Sequence, residues 1–509
     1  MAEARERWAS RPAFIMAAVG SAIGLGNVWR FPGTAFNNGG GAFFVPYFIA
    51  LLTAGIPLMI VEYGLGSRFQ GGAPKAFRRL GRGFEWIGWW AVLIGLGISI
   101  YYCVILAWSW QYCWECLRSI FTGELAWEAG EAGSYYGKTI LKASDDAGTL
   151  GVFNWTAAVG LFLTWAVVWW CIAKGVMRVG KIVMITVPLP LVLLVLLALR
   201  GLTLDGAMDG LAYYLTPNWD ALTDAKTWVA AYGQVFFSLS VGWGILIAYS
   251  SYRSKDSDVV NNAFITSFAN CGFSFLAGFA VFSTLGYLAM SLNPPDVIDA
   301  LKTSSFGLAF TSYPTAIEVF PGGVRLQALL GLGFFVMLLT LGIDSAFSIV
   351  EATATAVYDK FRWKRSRLVF GLCAAGFVLG LVFCFGSGIY WLDVNDRFLA
   401  EYSLPLVALV QTVVLGWLIG TKKLKALQDD INRRSELKAG FFWLWSIKLV
   451  TPAVLAYSMY LVFADLIAEG YGGFSTTTLL LAGAIPAGLL IVIGILLSMV
   501  KGAGDEDDE

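Results

Sequence analysis

The stretch AVGSAIGLGNVWRFPG, from Ala18 to Gly33, decides the fold. It lies inside an apolar run long enough to cross a bilayer, for which about twenty helical residues suffice. Yet it carries Gly20, Gly24 and Gly26, then Asn27 and Arg30, where a helix should be most regular. One reading is a GxxxG face, Gly20 with Gly24, that lets two helices pack closely. The other is a break. Three glycines within seven residues, followed by an amide, weaken a continuous helix. Peptide groups released at membrane depth persist only beside a cavity or an ion. The third glycine and the amide weigh toward the break.

A second run has the same character: GQVFFSLSVGWGILIAYSSYR, from Gly233 to Arg253, is interrupted at Ser238, Ser240, Gly242 and Gly244. A pair of Gly-interrupted spans at corresponding places in two halves points to a binding site between them, where helix ends offer N–H groups to anions and carbonyls to cations. The two runs correspond if the first ten spans form two fivefold repeats. That repeat is inferred from span count and charge alternation, since no letter identity shows it.

The rest of the chain fits an integral membrane protein. Of 509 residues 58% are hydrophobic and only 14% charged, with formal net charge zero, so nothing points to nucleic acid. Twenty-one Trp and twenty Tyr suit interfacial belts. Twelve apolar segments are expected, near 13–36, 42–67, 86–118, 153–173, 180–200, 229–252, 259–292, 326–358, 368–387, 394–420, 440–465 and 475–499. The loops SRFQGGAPKAFRRLGRG, AKGVMRVGK, DKFRWKRSR and GTKKLKALQDDINRRSELK are basic and alternate with acidic ones. Basic loops face the cytoplasm, which predicts both termini inside. The first span is expected to stay rather than be cleaved as a signal. The segment around Pro294, Pro295, Pro314 and Pro321 is expected to be a folded cap with short helices.

The chemistry is bounded as sharply. There is no His, which removes imidazole metal sites, Ser-His or Cys-His nucleophiles and His relays. The seven Cys, at 103, 113, 116, 171, 271, 373 and 384, lack metal-ligand spacing and are read as packing residues. No HExxH or phosphate loop occurs, so no enzyme is expected. Asp344, a carboxylate deep in an apolar span, is a functional candidate by its cost alone. Asn270 taken alone fits an interhelical hydrogen bond as well as a ligand.

The stretches WASRPAFIMAAVGSAIGLGNVWRFP, NNGGGAFFVPYF, GIPLMIVEYGLG, IYYCVILAW, FFSLSVGWG and GIDSAFSIVEA closely resemble the signatures of the neurotransmitter:sodium symporters, whose bacterial leucine-transporter branch defines the fold. The resemblance runs over nearly the whole chain. It implies an all-α membrane protein of twelve transmembrane helices, a five-plus-five inverted repeat with helices 1 and 6 unwound at the midplane. One domain is expected over 1–509, with repeats at about 12–200 and 229–420 and accessory spans 11 and 12 at about 440–500. It implies Na+-coupled symport of an amino acid or related amine by alternating access.

Carried over by motif position, the resemblance implies one sodium site at Ala22, Asn27, Ser238 and Asn270 and another at Gly20, Ile23, Leu341, Asp344 and Ser345. Sodium prefers oxygen ligands, and Gly20, Ala22, Ile23 and Leu341 can supply only carbonyls. Substrate is expected against Ala22, Gly24, Gly26, Ile98, Tyr102, Phe237, Ser238, Ser240, Trp243, Ala346 and Ile349. Amine carriers of the family resemble one another in having Asp where this chain has Gly24, so the resemblance implies an amino acid. Bulky Trp243 implies a small neutral one, such as glycine or alanine. Tyr102 would meet its carboxylate, although a buried Tyr bonded to a backbone carbonyl is the ordinary alternative.

Tyr47, Gln234, Ser238, Asn270 and Ser274 are similar to the chloride-binding positions of animal members, Ser274 standing where the leucine-transporter branch has Glu. The charge sum agrees: two Na+ give plus two, a zwitterion adds zero, Asp344 subtracts one, and one Cl- closes the balance. The resemblance also implies an outer gate of Arg30 with Asp396, Asp393 lying one turn away. It implies an inner gate of Arg5 with Asp359, supported by Trp8, Tyr252 and Glu351. The expected setting is a prokaryotic inner membrane, as monomer or homodimer, with lipid and a small neutral amino acid as partners. A carrier of larger aliphatic or aromatic amino acids without chloride dependence, a non-transporting sensor, a proton-coupled carrier and a channel stand as alternatives.

Overall fold

The computed structural model describes residues 6–127, 130–291 and 307–504. Among these no strand forms beyond isolated bridges, Gly40 with Pro217 and Phe153 with Phe385. The first run comes in three pieces: α1 (Arg11–Ala22), α2 (Leu25–Val28) and α3 (Arg30–Asn37). The Ser10 hydroxyl caps α1, accepting from the Ala13 N–H at 3.3 Å, so one of its orphan donors is satisfied. There follow α4 (Gly41–Phe69), α5 (Ala73–Leu80), α6 (Arg82–Thr122), α7 (Trp155–Ile172), α8 (Val176–Leu202) and α9 (Ala207–Leu215). The second broken run is α10 (Ala225–Ser238) with α11 (Ile245–Ser251). Then come α12 (Val260–Ser291), α13 (Tyr313–Val319), α14 (Val324–Phe361), α15 (Arg365–Cys384), α16 (Gly388–Leu418), α17 (Thr421–Arg434), α18 (Phe441–Glu469) and α19 (Thr476–Met499).

Ten helices among the described residues are long and apolar enough to cross a membrane, and the chain is an integral membrane protein. They fall on ten of the twelve expected segments. The other two, 13–36 and 229–252, are the runs that come in pieces. The tenth span begins earlier than expected, at Gly388. Of the expected cap, residues 292–306 lie outside the described residues. Its described part includes the short helix α13, and Phe310 just before it accepts a hydrogen bond from the Tyr112 hydroxyl at 2.8 Å.

The broken runs are enclosed by the long helices. α6 and α14 pack along each other, and α1 lies among α8, α12 and α14. α11 lies against α4 and α14. At Gly66 of α4 a methyl group would collide with the Ile247 carbonyl and Ser250 hydroxyl of α11, so glycine is what lets these two backbones meet. α6 buries 78% of its apolar window and α19 only 17%, which puts α6 at the centre and α19 on the lipid-facing periphery. All seven cysteines are free and buried. Asn154, in an N-x-T sequence, is buried and caps α7 while its amide donates to the Ile140 carbonyl at 2.7 Å, so it is not presented to solvent.

Candidate ion and substrate site

The first interruption is built from two extended residues. Ile23 has φ −80°, ψ 104° and Gly24 has φ −129°, ψ −169°. The Gly24 N–H turns to Asn27 Oδ1 at 2.8 Å and the Leu25 N–H to the Tyr102 hydroxyl at 3.4 Å. Both donors would otherwise close the helix onto the carbonyls of Gly20 and Ser21. The Ser21 carbonyl instead accepts from Ser240 Oγ at 2.9 Å, which joins the two interruptions directly.

The second interruption uses left-handed backbone. Ser240, Gly242 and Gly244 have φ of 54°, 89° and 75°. The freed Gly242 N–H donates to Glu62 Oε1 at 2.6 Å, and its carbonyl accepts from Gln411 Nε2 at 3.3 Å. Sequence reasoning missed Glu62 and Gln411. The available signal was an acid inside the apolar run GIPLMIVEYGLG, which alone marks a site in a membrane helix.

Between the interruptions lies a cavity of about 40 Å³. Ten of the eleven expected substrate residues line it: Ala22, Gly24, Gly26, Ile98, Tyr102, Phe237, Ser238, Ser240, Trp243 and Ile349. Ala346, fully buried, does not; Ser21, Leu25, Asn27, Ile245 and Ser345 do. A methyl group at Gly24 would stand 2.9 Å from Ser345 Oγ and 3.4 Å from the Tyr102 hydroxyl, so the space at Gly24 belongs to the site.

Of the residues expected at the first sodium and chloride positions, Asn27, Asn270, Ser238, Ser274 and Tyr47 form one buried cluster. Asn27 Nδ2 donates to Asn270 Oδ1 at 2.8 Å and to Ser274 Oγ at 2.7 Å, and Asn270 Nδ2 reaches Ser238 Oγ at 2.5 Å. The Tyr47 hydroxyl lies 3.3 Å from Cys271 Sγ and also faces Ser274 and Ser238. Both amide atoms of Gln234 are buried without a partner among the described residues. An unmet buried N–H, one turn before Ser238 on the same helix, and hydroxyl groups are donors of the kind a buried anion requires.

Of the second sodium set, Asp344 is 1% exposed and its Oδ1 has no partner among the described residues. Its Oδ2 lies 3.2 Å from where a methyl group on Gly20 would sit. Ser345 Oγ bonds to the Leu341 carbonyl at 3.3 Å, and Ile23 belongs to the adjacent extended pair. A buried carboxylate oxygen without a partner, on a carboxylate packed against Gly20, suits a hard cation. Thr186, which the sequence did not single out, also faces this carboxylate.

On the far side of Phe237 the structure corrects an expected pair. Arg30 bonds Glu401 Oε1 at 2.9 Å and stacks over the Phe237 ring at 4.6 Å; its partner here is not Asp396. Asp396 accepts from the Tyr101 hydroxyl at 2.7 Å and Asp393 from Tyr471 at 3.2 Å. Glu401 lies five residues beyond Asp396 within a π turn over Arg397–Ser403, the spacing that such a turn brings onto one face. Arg397 shares the same carboxylate. Arg30, Tyr101, Phe237, Asp393, Asp396 and Glu401 line a cavity of about 260 Å³ adjoining the smaller one.

At the opposite end Arg5 lies outside the described residues. Its expected partner Asp359 accepts from the Gly72 N–H at 2.7 Å. Trp8 Nε1 donates to the Tyr249 carbonyl at 2.8 Å, and the Tyr252 hydroxyl reaches Glu351 at 3.1 Å. Glu351 also holds Arg365 at 2.5 Å, and Lys360 pairs with Glu85 at 2.8 Å; neither cation was singled out from sequence.

Comparison with known proteins sets the chain beside sodium-dependent transporters. A profile described as the sodium:neurotransmitter symporter family matches residues 5–134 and 128–501. The chain is 40% identical to an uncharacterized sodium-dependent transporter of Methanocaldococcus jannaschii, covering 98% of each. It is 35% identical to the sodium- and chloride-dependent GABA transporter 2 of Bos taurus, over 89% of this chain and 80% of that one. It is 34% identical to the human sodium- and chloride-dependent neutral and basic amino acid transporter B(0+), over 87% and 76%.

Proposed function

The chain belongs to the sodium:neurotransmitter symporter family, a family of transporters, and from that premise we propose that it is a sodium-coupled, chloride-dependent symporter of a small neutral amino acid such as glycine or alanine. It acts as a carrier and not as an enzyme. The two broken runs join the ten continuous helices to make twelve crossings, arranged as a five-plus-five inverted repeat with both interruptions at the midplane. Both termini lie in the cytoplasm of a prokaryotic cell.

The observation that carries this reading is Asp344 Oδ1, a buried acceptor without a partner among the described residues, on a carboxylate packed against Gly20 next to the interruption where the Gly24 N–H leaves the helix for Asn27. Sodium in the Asp344 site joins Gly20, Ile23, Leu341 and Ser345. A second sodium takes Ala22, Asn27, Ser238 and Asn270, and the substrate carboxylate meets Tyr102 and the N–H groups beside Gly24. Chloride at Tyr47, Gln234, Ser238, Asn270 and Ser274 balances the charge. The substrate is small because about 40 Å³ of cavity holds roughly three water-sized groups. Arg30 with Phe237 closes over it from outside, and Trp8 with the Tyr252–Glu351 pair closes from inside. Each sodium entering an interior near −100 mV gains about 2.3 kcal/mol from the field. Coupling follows because ions and solute complete one another's sites.

The test is uptake of labelled glycine or alanine into proteoliposomes under an imposed inward sodium gradient. Accumulation above equilibrium that disappears with choline, and falls when gluconate replaces chloride, supports the reading. Simple equilibration would indicate a channel, and undiminished uptake in gluconate would remove chloride from the mechanism.

A further inference from the structure

Where α16 ends and α18 begins, cations and exposed apolar side chains meet at the edge of two spans. Trp417 donates its indole N–H to the Lys448 carbonyl at 2.9 Å, and Lys448 Nζ donates to Thr421 Oγ1 at 2.8 Å. The backbone of Gly416 lies so close that a methyl group there would be 3.2 Å from the Ile447 carbonyl. The two helix ends and the first turn of α17 are thereby fixed side by side. Trp417 and Trp445 remain 64% and 47% exposed, as interfacial rings do.

Most cations around this junction are engaged. Lys423 Nζ donates to the Leu80 carbonyl at 2.8 Å, Arg68 to that of Ala426 at 3.0 Å, and Arg433 and Arg434 pair with Asp430. Lys422 and Lys425 differ. They lie three residues apart on α17, both exposed, and make no hydrogen bond or ion pair among the described residues. Two unengaged cations on the helix whose first residue, Thr421, bonds Lys448, a few residues from exposed Trp417, complement a ligand with a negative head and apolar tails.

We propose that this junction is a binding site for an anionic phospholipid, its phosphodiester held by Lys422, Lys425 and Lys448 and its chains lying over Trp417 and Trp445. Lysine stems lie along the apolar surface while their ammonium groups reach the headgroup. The rings give a lipid an advantage that a free anion lacks. The site is independent of which solute is carried.

The experiment is native mass spectrometry of the full chain in neutral detergent, titrated with phosphatidylglycerol or phosphatidylcholine of identical acyl chains. The wild type is expected to retain the anionic lipid at least about fivefold better. Lys422→Glu with Lys425→Glu removes that preference, the double Arg substitution keeps it, and charge reversal of exposed Lys364 and Arg367 leaves it unchanged. Equal retention of the two lipids, equal loss in the Lys364 and Arg367 control, or displacement by millimolar inorganic phosphate would each overturn the assignment.

Discussion

The two interruptions use glycine for different physical ends. At the first, Gly24 has negative φ that any residue adopts, and what its missing side chain supplies is room beside Ser345 and Tyr102. At the second, Gly242 and Gly244 sit at φ of 89° and 75°, where the missing side chain supplies conformation. Their released peptide groups are also received differently. Asn27 and Tyr102, which line the site, take those of the first; Glu62 on α4 and Gln411 on α16 take those of the second. The first break is thus held by the site itself and the second by the surrounding scaffold.

The largest effect separating them is expected at the first. Asp344→Asn keeps the shape and removes the charge that offsets a cation, a loss of about 3–5 kcal/mol for a broken buried pair. Sodium-driven uptake should therefore fall by about a hundredfold or more while the protein still folds. Sodium titration of uptake checks this, and near-normal sodium dependence would detach the first break from ion binding. Next comes the scaffold side. Glu62→Ala leaves the Gly242 N–H without its acceptor, about 1–3 kcal/mol, and should lower the thermal unfolding midpoint in detergent. An unchanged midpoint would mean that the second break supports itself.

The paired glycine substitutions are smaller and more discriminating. Gly242→Ala meets left-handed strain of about 1–2 kcal/mol and should reduce stability and uptake together. Gly24→Ala meets no such strain and should weaken substrate binding with the melting midpoint nearly kept. Unfolding and binding assays on both variants check the contrast; the same loss of stability in both would erase it.

Much of this was legible in the sequence because breaks in membrane helices need unusual letters. The Gly-Asn stretch, the SVGWG stretch and Asp344 stand out against apolar runs, and the structure brings all three together. What escaped depends on contacts between remote segments. Arg30 pairs with Glu401 and not Asp396, across 371 residues and within a π turn that a 3.6-residue period does not anticipate. The Lys360–Glu85 pair joins residues 275 apart, and Thr186 reaches Asp344 from a helix whose own letters show no site. Glu62 escaped although it is an acid inside an apolar run, since its role appears only once the Gly242 N–H arrives beside it.

The measurement that bears most directly on the paired interruptions is equilibrium binding of labelled glycine or alanine to the purified chain as sodium replaces choline at constant ionic strength. Affinity should rise by about tenfold or more, the scale of ordinary coupling between sites, and the rise should vanish in Asp344→Asn. Binding of equal strength in choline and sodium would contradict a shared site for cation and solute.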